Sequence, residues 1–284
     1  MVASIRLEGY ALHRGVATAV TLARREGPIT FEQGGRRCPL ARLEVRRSDA
    51  GVTLADGQHL EIDLVEHLLA AFGGLGIRRG VTAIVEGAEL PILDGGARVF
   101  AEALRALSLP VNAHRGPDLV VSKAAVLTSG NSRYAFEIDD GTALSVETIF
   151  DHAALGTGRA EWNGSAADFL DVIAPARTFG FRSEARELWA RGRAELAARR
   201  DDVAASKAFA RAVVVFDERG ASTVLGQPPP SPGEVTRHKL LDLIGDFALH
   251  GGPPRGRVFA QRPGHTSSHG IIREALSLGI LSRQ

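Results

Sequence analysis

Two helical patterns overlap in the stretch Arg237-His238-Lys239-Leu240-Leu241-Asp242-Leu243-Ile244-Gly245-Asp246. Its leucines and isoleucine recur every three or four residues, which predicts a helix with one face packed in a core. His238, Asp242 and Asp246 stand four residues apart, so they form one column along the helix. We therefore expect this helix both to organise the fold and to carry chemistry.

The chain before this helix begins as a sheet. Residues 2–60 contain short stretches rich in Val, Ile, Leu and Thr, separated by Gly and polar turns, as expected of antiparallel strands. A helix should follow, with Asp63 as its N-cap and Gly73-Gly74 as its stop signal. Strand Val81–Glu86 and a second helix over Ala97–Leu107 complete this half.

The second half repeats that order of elements. Pro110, Gly116 and Pro117 interrupt a polar stretch, which places a boundary between two domains, residues 1–112 and 113–284. The elements expected after it are strands Leu119–Leu127, Tyr134–Ile138 and Leu144–Phe150, helix Ser183–Arg199, strand Ala212–Asp217, the His238 helix, strand Arg257–Gln261 and helix Ser268–Leu278. The predicted fold class is α+β, with two similar domains that each combine a mainly antiparallel sheet with two helices.

Composition narrows the classes of partner. The 284 residues are 44% hydrophobic and 24% charged, with a net charge of +1, which is typical of a soluble globular protein. No segment combines basic runs with stacking aromatics, so no nucleic-acid partner is expected. Residues 1–15 lack a signal-peptide pattern, and no apolar run approaches the ~20 residues of a transmembrane helix. The single cysteine, Cys38, suits a reducing compartment, and we expect a cytoplasmic monomer.

His238 and Asp242 are placed to bind one metal ion from successive helical turns. Catalytic zinc typically takes three N or O ligands from the protein and keeps a position for water, so a third ligand must come from another segment. In Glu66-His67, His67 would bind the ion while Glu66 removes a proton from the water. Two alternatives stay open: an exposed His-Asp salt bridge, and a capping box, Asp63-x-x-Glu66, beside a surface His67.

Gly264-His265 supplies a further candidate just beyond the last predicted strand. A histidine there, free of the metal, would protonate the leaving group, and Asp246 would orient its imidazole. The alternative is a solvated histidine in a glycine-containing loop.

Together these residues resemble the UDP-3-O-acyl-N-acetylglucosamine deacetylases of lipid A synthesis, the LpxC type. The resemblance spans nearly the whole chain and rests on several landmarks in the same order. They are Leu12-His13-x-Gly15, Val65-Glu66-His67-Leu68-Leu69-Ala70-Ala71, Gly76-Ile77, Glu89-Leu90-Pro91-Ile92-Leu93-Asp94-Gly95-Gly96-Ala97, Phe150-Asp151-His152, Ala176-Arg177-Thr178-Phe179-Gly180-Phe181, the His238 helix and Gly264-His265.

The resemblance implies a fold whose helices pack between two sheets, and a role for each site residue. It implies that His67, His238 and Asp242 bind one zinc ion per chain, with iron as an open alternative. It implies that Glu66 is the general base and that His265 is the general acid, supported by Asp246. The remaining implied roles are an oxyanion donor, a residue near the bound water and substrate, and two substrate contacts, namely Thr178, Lys239, and Phe179 with Arg262. The implied substrate is a small acylated nucleotide sugar. Only three of the 34 basic residues are lysines, namely Lys123, Lys207 and Lys239. Because the chain otherwise uses Arg, a Lys at position 239 agrees with a need for a compact ammonium rather than a planar guanidinium.

Other stretches depart from the family pattern. Ser206-Lys207-Ala208-Phe209-Ala210 stands where the family has a glycine-rich stretch beside its acyl-chain passage. Arg262 replaces a lysine, although a guanidinium also pairs well with phosphate oxygens. The leading hypothesis, implied by the resemblance, is zinc-dependent hydrolysis of the N-acetyl group of UDP-3-O-acyl-N-acetylglucosamine. Three alternatives to it remain. They are the same deacetylation on a different N-acyl sugar, a non-catalytic relative that binds a nucleotide sugar, and a structural metal site in an unrelated fold with four protein ligands.

Overall fold

A computed structural model describes residues 3–109, 114, 118–221 and 228–284 of the chain. The predicted boundary at residues 112 and 113 lies outside these ranges. The first half contains strands β1 (Ser4–Tyr10), β2 (Ala17–Pro28), β3 (Thr30–Gln33), β4 (Arg36–Pro39), β5 (Glu44–Arg47), β6 (Thr53–Ala55), β7 (Glu61–Ile62) and β8 (Arg79–Glu86), and helices α1 (Glu66–Gly74) and α2 (Arg98–Ala106).

The second half is longer and contains more short elements. Its strands are β9 (Leu119–Val121), β10 (Ala125–Ser129), β11 (Ser132–Glu137), β12 (Thr142–Ile149), β13 (Thr157–Trp162), β14 (Thr178–Phe181), β15 (Val213–Asp217), β16 (Gly220–Ala221), β17 (Gly256–Gln261) and β18 (Leu281–Arg283). Its helices are α3 (Ala166–Asp168), which continues as a π-helical turn (Phe169–Ile173), α4 (Ala185–Ala190), α5 (Val203–Ala212), α6 (Glu234–Leu249) and α7 (His265–Ser277).

The main sheets of the two halves share one topology. The first sheet has the order β1-β2-β8-β3-β4, and the second has the order β10-β11-β17-β12-β13. In each, the strand between the two helices lies at the centre, antiparallel to one neighbour and parallel to the other. The α+β class and the duplicated architecture are confirmed.

Each half also carries an insertion at the same point, between its fourth main strand and its first main helix. In the first half the insertion is the small sheet β5-β6-β7, which precedes α1. In the second half it is β14-β15-β16 together with α4 and α5, which precede α6. The two insertions therefore directly precede α1 and α6, the equivalent helices of the two halves.

Helices α1 and α6 pack against each other and join the halves. One hydrophobic cluster includes Val20 of the first sheet, Phe136 of the second sheet, Leu68 of α1 and Leu241 of α6, so the helices link the sheets through a common core. Gly245 permits this close approach, because a Cβ there would lie 2.5 Å from the carbonyl oxygen of Glu66. Among the described residues, no helix has the length and apolar character needed to span a membrane.

The sequence-based element boundaries were wrong in several places. The predicted helix Ser183–Arg199 is broken into short helical segments, because Gly192 and Ala194 adopt φ values of 65° and 58°. The predicted strand Leu119–Leu127 divides into β9 and β10, which belong to different sheets. The last helix begins at His265 rather than Ser268.

Candidate active site

Helix α1 presents two polar side chains from its first turn in an otherwise apolar segment. All nine residues of the helix are buried, including Glu66 at 3% exposure and His67 at 2%. A buried polar side chain is costly unless it is hydrogen-bonded or binds an ion. The burial of His67 excludes the simple surface role that the sequence left open.

His238 faces His67 from α6. Their ring centroids are 5.2 Å apart, with the rings at 82° to each other. The Nδ1 of His238 lies 2.9 Å from the carbonyl oxygen of Ala176, and an imidazole N–H must be the donor to a carbonyl. This hydrogen bond leaves the Nε2 lone pair of His238 available as a ligand.

Asp242 completes a cluster with the two histidines. One ligand atom from each of His67, His238 and Asp242 lies within 4.8 Å of the others, and all three residues are buried. The Oδ2 of Asp242 accepts a hydrogen bond of 2.8 Å from Lys239 Nζ. Its Oδ1 is buried without a hydrogen-bond partner among the described residues, 3.5 Å from His238 Nε2. The orphaned oxygen fits a site that receives a cation.

The protonation states of the cluster also suit metal ligation. Burial and the neighbouring His238 lower the pKa of His67 to about 3, and burial lowers the pKa of His238. For Asp242, burial opposes ionisation, but Lys239 and the imidazoles hold its pKa well below the usual range. At neutral pH the histidines are therefore neutral and the aspartate is charged, as metal ligands must be.

Glu66 is oriented by the insertion of the first half. Its Oε2 accepts a hydrogen bond of 2.8 Å from the backbone N–H of Val52, so it does not form the capping box proposed as an alternative. Gly51 leaves room for the other oxygen, because a Cβ there would lie 2.9 Å from Glu66 Oε1. Burial raises the pKa of Glu66, which makes its carboxylate a stronger proton acceptor.

His265 lies at the first position of α7 and not in a loop. Its Nδ1 is 2.8 Å from Asp246 Oδ1, and its Nε2 is 3.8 Å from Asp242 Oδ1. Burial opposes the charge of His265, yet Asp246 and Asp242 raise its pKa to about 9. A largely buried imidazolium therefore lies beside the His67, His238 and Asp242 cluster.

The remaining candidates lie on segments around this cluster. Thr178 and Phe179 begin β14, directly after Ala176 and Arg177, and the Phe179 ring centroid lies 6.1 Å from that of His238. Arg262 is exposed and precedes His265 by three positions, with a φ of 51°. The structure thus gathers the ligand, base and acid candidates closely, while Arg262 lies at the surface.

Three contacts of this site escaped the sequence-based prediction. The Val52 N–H and the Ala176 carbonyl are backbone groups, which leave no signal in side-chain identity. His269 packs beside His265, with ring centroids 6.5 Å apart. Its spacing of four from His265 would have shown it, had the helix been predicted to begin three residues earlier.

The fold and this site define a class of protein: two α+β repeats with a buried cluster of possible metal ligands. Comparison with known proteins agrees. The family model described as UDP-3-O-acyl N-acetylglycosamine deacetylase, LpxC, matches residues 1–277.

Individual relatives carry a closely similar name. Proteins named UDP-3-O-acyl-N-acetylglucosamine deacetylase from Brucella melitensis biotype 2, Pseudomonas entomophila and Syntrophotalea carbinolica are 30%, 29% and 29% identical to the chain. Each alignment covers 96% of this chain, and 93%, 88% and 85% of the respective relative. The chain belongs to the LpxC family of deacetylases, which are metalloenzymes.

Proposed function

We propose that this enzyme hydrolyses the N-acetyl group of UDP-3-O-acyl-N-acetylglucosamine in lipid A biosynthesis, giving acetate and the free amine. The proposal is supported by the family match over residues 1–277 and by the names of relatives aligned over 96% of the chain. The observation that carries it is the orphaned, buried Oδ1 of Asp242 between two neutral imidazoles.

We propose His67, His238 and Asp242 as the ligands of one zinc ion per chain. Two neutral imidazoles and one carboxylate match the ligand types of catalytic zinc sites, which keep one position open. Iron has overlapping ligand preferences, so metal analysis must decide between the two. When bound, the ion supplies a Lewis acid that polarises the amide carbonyl and acidifies water.

The neighbouring side chains then perform the proton transfers. Glu66, held by the Val52 N–H, accepts the proton of the attacking water. His265 donates its Nε2 proton to the departing amine nitrogen, since its raised pKa keeps it protonated at neutral pH. Asp246 accepts the Nδ1–H of His265 and so directs Nε2 towards the site. Lys239 donates a hydrogen bond to Asp242 Oδ2 and so offsets its charge. We propose that the ammonium of Lys239 also contacts the bound water and the substrate.

Thr178, Phe179 and Arg262 are proposed as substrate contacts. The Thr178 hydroxyl would donate to the oxyanion that develops on the amide carbonyl. Phe179 belongs to a cluster of aromatic rings on β14, on β15 and directly after β12, namely Phe150, Phe179, Phe181 and Phe216. This partly exposed aromatic surface beside His238 suits an acyl chain. Exposed Arg262 suits the diphosphate of the nucleotide.

The decisive test combines metal analysis with acetate release from the acylated nucleotide sugar. We expect one equivalent of zinc or iron per chain, activity that falls to background after chelation, and recovery on adding metal back. His238→Ala should lose both metal and activity. Undiminished acetate release from the chelated enzyme, or from His238→Ala, would overturn the proposal.

Substrate range needs a separate comparison, because helix α5 contains the Ser206–Ala210 departure. Phe209 of this helix packs with Leu64 and Ile92 near the entry to α1. Rates on acylated and non-acylated nucleotide sugars should favour the acylated one. Exclusive turnover of the non-acylated sugar would support the alternative of a different N-acyl sugar. We further propose a cytoplasmic monomer, which sedimentation and cell fractionation would test.

A further inference from the structure

Four polar side chains form two matched columns on α6 and α7. Asp246 and His250 are four residues apart on α6 and its C-terminal cap, and His265 and His269 are four residues apart on α7. These two helices pack against each other. The four side chains therefore alternate between the helices in the order His265, Asp246, His269, His250. The site described above uses only the first two of them.

Asp246 lies between two imidazoles in this chain of contacts. Its Oδ1 is 2.8 Å from His265 Nδ1 and 3.2 Å from His269 Nε2. Its other oxygen, Oδ2, and the Nε2 of His269 are both buried without a hydrogen-bond partner among the described residues. Each residue is only 1% exposed. Since a buried donor and a buried acceptor without partners are costly, a small rotation that joins His269 to Asp246 is favourable.

His250 contacts the nitrogen of His269 that faces away from Asp246. The Nε2 of His250 lies 3.2 Å from the Nδ1 of His269. Burial and the neighbouring His269 lower the pKa of His250 to about 4, so it is neutral at physiological pH. The Asp246 carboxylate favours the tautomer of His269 with its proton on Nε2, and in that tautomer His269 Nδ1 accepts from the Nε2–H of His250. Each N–H in this series of four side chains then donates in the direction of Asp246.

We propose that His269 is a positioning residue for catalysis, which holds the carboxylate of Asp246 while His250 fixes the tautomer of His269. Two donors on one carboxylate restrict its rotation more than one donor does. Asp246 then presents a fixed oxygen to His265 Nδ1, and His265 Nε2 stays aimed at the leaving nitrogen. This inference rests on the proposed role of His265 as general acid.

A pair of variants at position 269 tests the proposal. His269→Phe keeps a buried ring but removes the donor, whereas His269→Gln keeps an N–H donor near the position of Nε2. We expect His269→Phe to lower kcat about tenfold, within the range for supporting partners of catalytic groups, with KM changed less than about twofold. His269→Gln should recover most of the lost kcat. Metal content should equal that of the wild type in both variants.

Ser268→Ala is the matched control for a purely structural effect. Ser268 is buried on the same helix, and its Oγ lies 2.8 Å from Tyr134 Oη. This variant also breaks a buried hydrogen bond but does not contact Asp246. It should lose stability while keeping its kcat. If His269→Phe and His269→Gln lose kcat equally, the donor is irrelevant and the inference is wrong.

Nitrogen-15 NMR of labelled histidines provides an independent readout. In the wild type, His265 should show a protonated Nδ1 in a strong hydrogen bond, and in His269→Phe this signal should shift and broaden. The triad of Asp246, His265 and His269 also has ligand atoms within 4.8 Å of one another. Binding of a second metal ion that His269→Phe abolishes would overturn the positioning role.

Activity of His265→Ala separates this inference from the proposed function. If His265→Ala is inactive and His269→Phe has wild-type kcat, only the inference fails. If His265→Ala is fully active, the assignment of the general acid fails as well.

Discussion

The two halves of the chain share a topology but divide the chemistry unequally. The equivalent helices α1 and α6 both contribute ligand candidates, since His67 comes from the first and His238 and Asp242 from the second. The equivalent helices α2 and α7 differ completely. Helix α7 carries His265 and His269, whereas the buried residues of α2 are Phe100, Ala101, Ala103 and Leu104. The buried face of α2 is thus apolar, whereas that of α7 carries polar side chains of the site.

The insertions differ in the same way. The tip of the first insertion orients Glu66 through the Val52 N–H. The second insertion supplies aromatic rings, with Phe179 beside His238. Because both insertions lead into the ligand-bearing helices, each half builds one wall of the site. The first half thus provides the proposed base, and the second half provides the proposed acid and the apolar wall.

The largest effect of a conservative change is expected at Glu66, the proposed base in the first half. Glu66→Gln keeps the size of the side chain but removes its ability to accept a proton. We expect acetate release to fall about 10²–10⁴-fold, the usual contribution of a general base, with unchanged metal content. Full activity of Glu66→Gln would show that proton removal does not depend on the first half.

The next largest effect concerns His265, the proposed general acid in the second half. A general acid must be protonated, so a pKa of His265 near 9 keeps it active at neutral pH and makes the rate fall as pH rises through that value. Asp246→Asn removes the strongest partner that raises this pKa. We expect a 10–100-fold lower kcat and an alkaline limb of kcat/KM shifted about 1–3 units to lower pH.

Asp139→Asn is the control for that pH profile. Asp139 lies between β11 and β12 and forms a surface ion pair of 2.8 Å with Arg257. The variant Asp139→Asn should leave the alkaline limb of the kcat/KM profile at its wild-type pH. An Asp246→Asn profile that matches the wild type would show that His265 does not supply the proton.

Sequence reasoning succeeded where one periodic pattern dominated. Helix α6 carries its polar residues in a column at helical spacing, and helix α1 has an apolar run that ends at Gly73-Gly74, so the two central helices and their ligand candidates were predictable. The duplicated order of elements followed from the alternation of strand-like and helical stretches. The second insertion was not predictable in this way. Its Ala, Glu, Arg and Leu residues favour a helix, and left-handed backbone at Gly192 and Ala194 breaks it.

The supporting contacts of the site were harder to predict for a different reason. Val52 and Ala176 act through backbone atoms, whose partners depend on tertiary packing. The start of α7 lacks an apolar residue until Ile271, so periodicity placed the helix too late. His265 therefore looked like a loop residue, and His269 carried no visible pattern.

The contact between the halves can be tested with two glycine variants, which should change stability in opposite directions. Gly245→Ala places a Cβ 2.5 Å from the Glu66 carbonyl oxygen, where backbone must move. We expect a loss of about 1–3 kcal/mol in the free energy of unfolding, as for other overpacked sites, and a lower kcat because α1 shifts. Gly270→Ala on α7 has open space, so it should gain roughly 0.5–1 kcal/mol from helix propensity. Urea unfolding measures both changes in the free energy of unfolding, provided that its dependence on urea concentration is the same in each variant. Equal changes in the two variants would contradict a tight junction at Gly245.

The smallest expected effect distinguishes two roles of the first insertion, which are orienting Glu66 and stabilising the fold. Gly51 and Gly57 have φ values of 97° and 75°, so alanine strains the backbone at either position. Only the Cβ at Gly51 meets Glu66, since that at Gly57 meets nothing within 4 Å. We expect both variants to lose roughly 1–2 kcal/mol of stability, the cost of left-handed backbone. Gly51→Ala alone should also lose rate, about three- to tenfold, because the displaced carboxylate is farther from the attacking water. Matching losses of kcat in the two variants would mean that the insertion stabilises the fold without orienting the base.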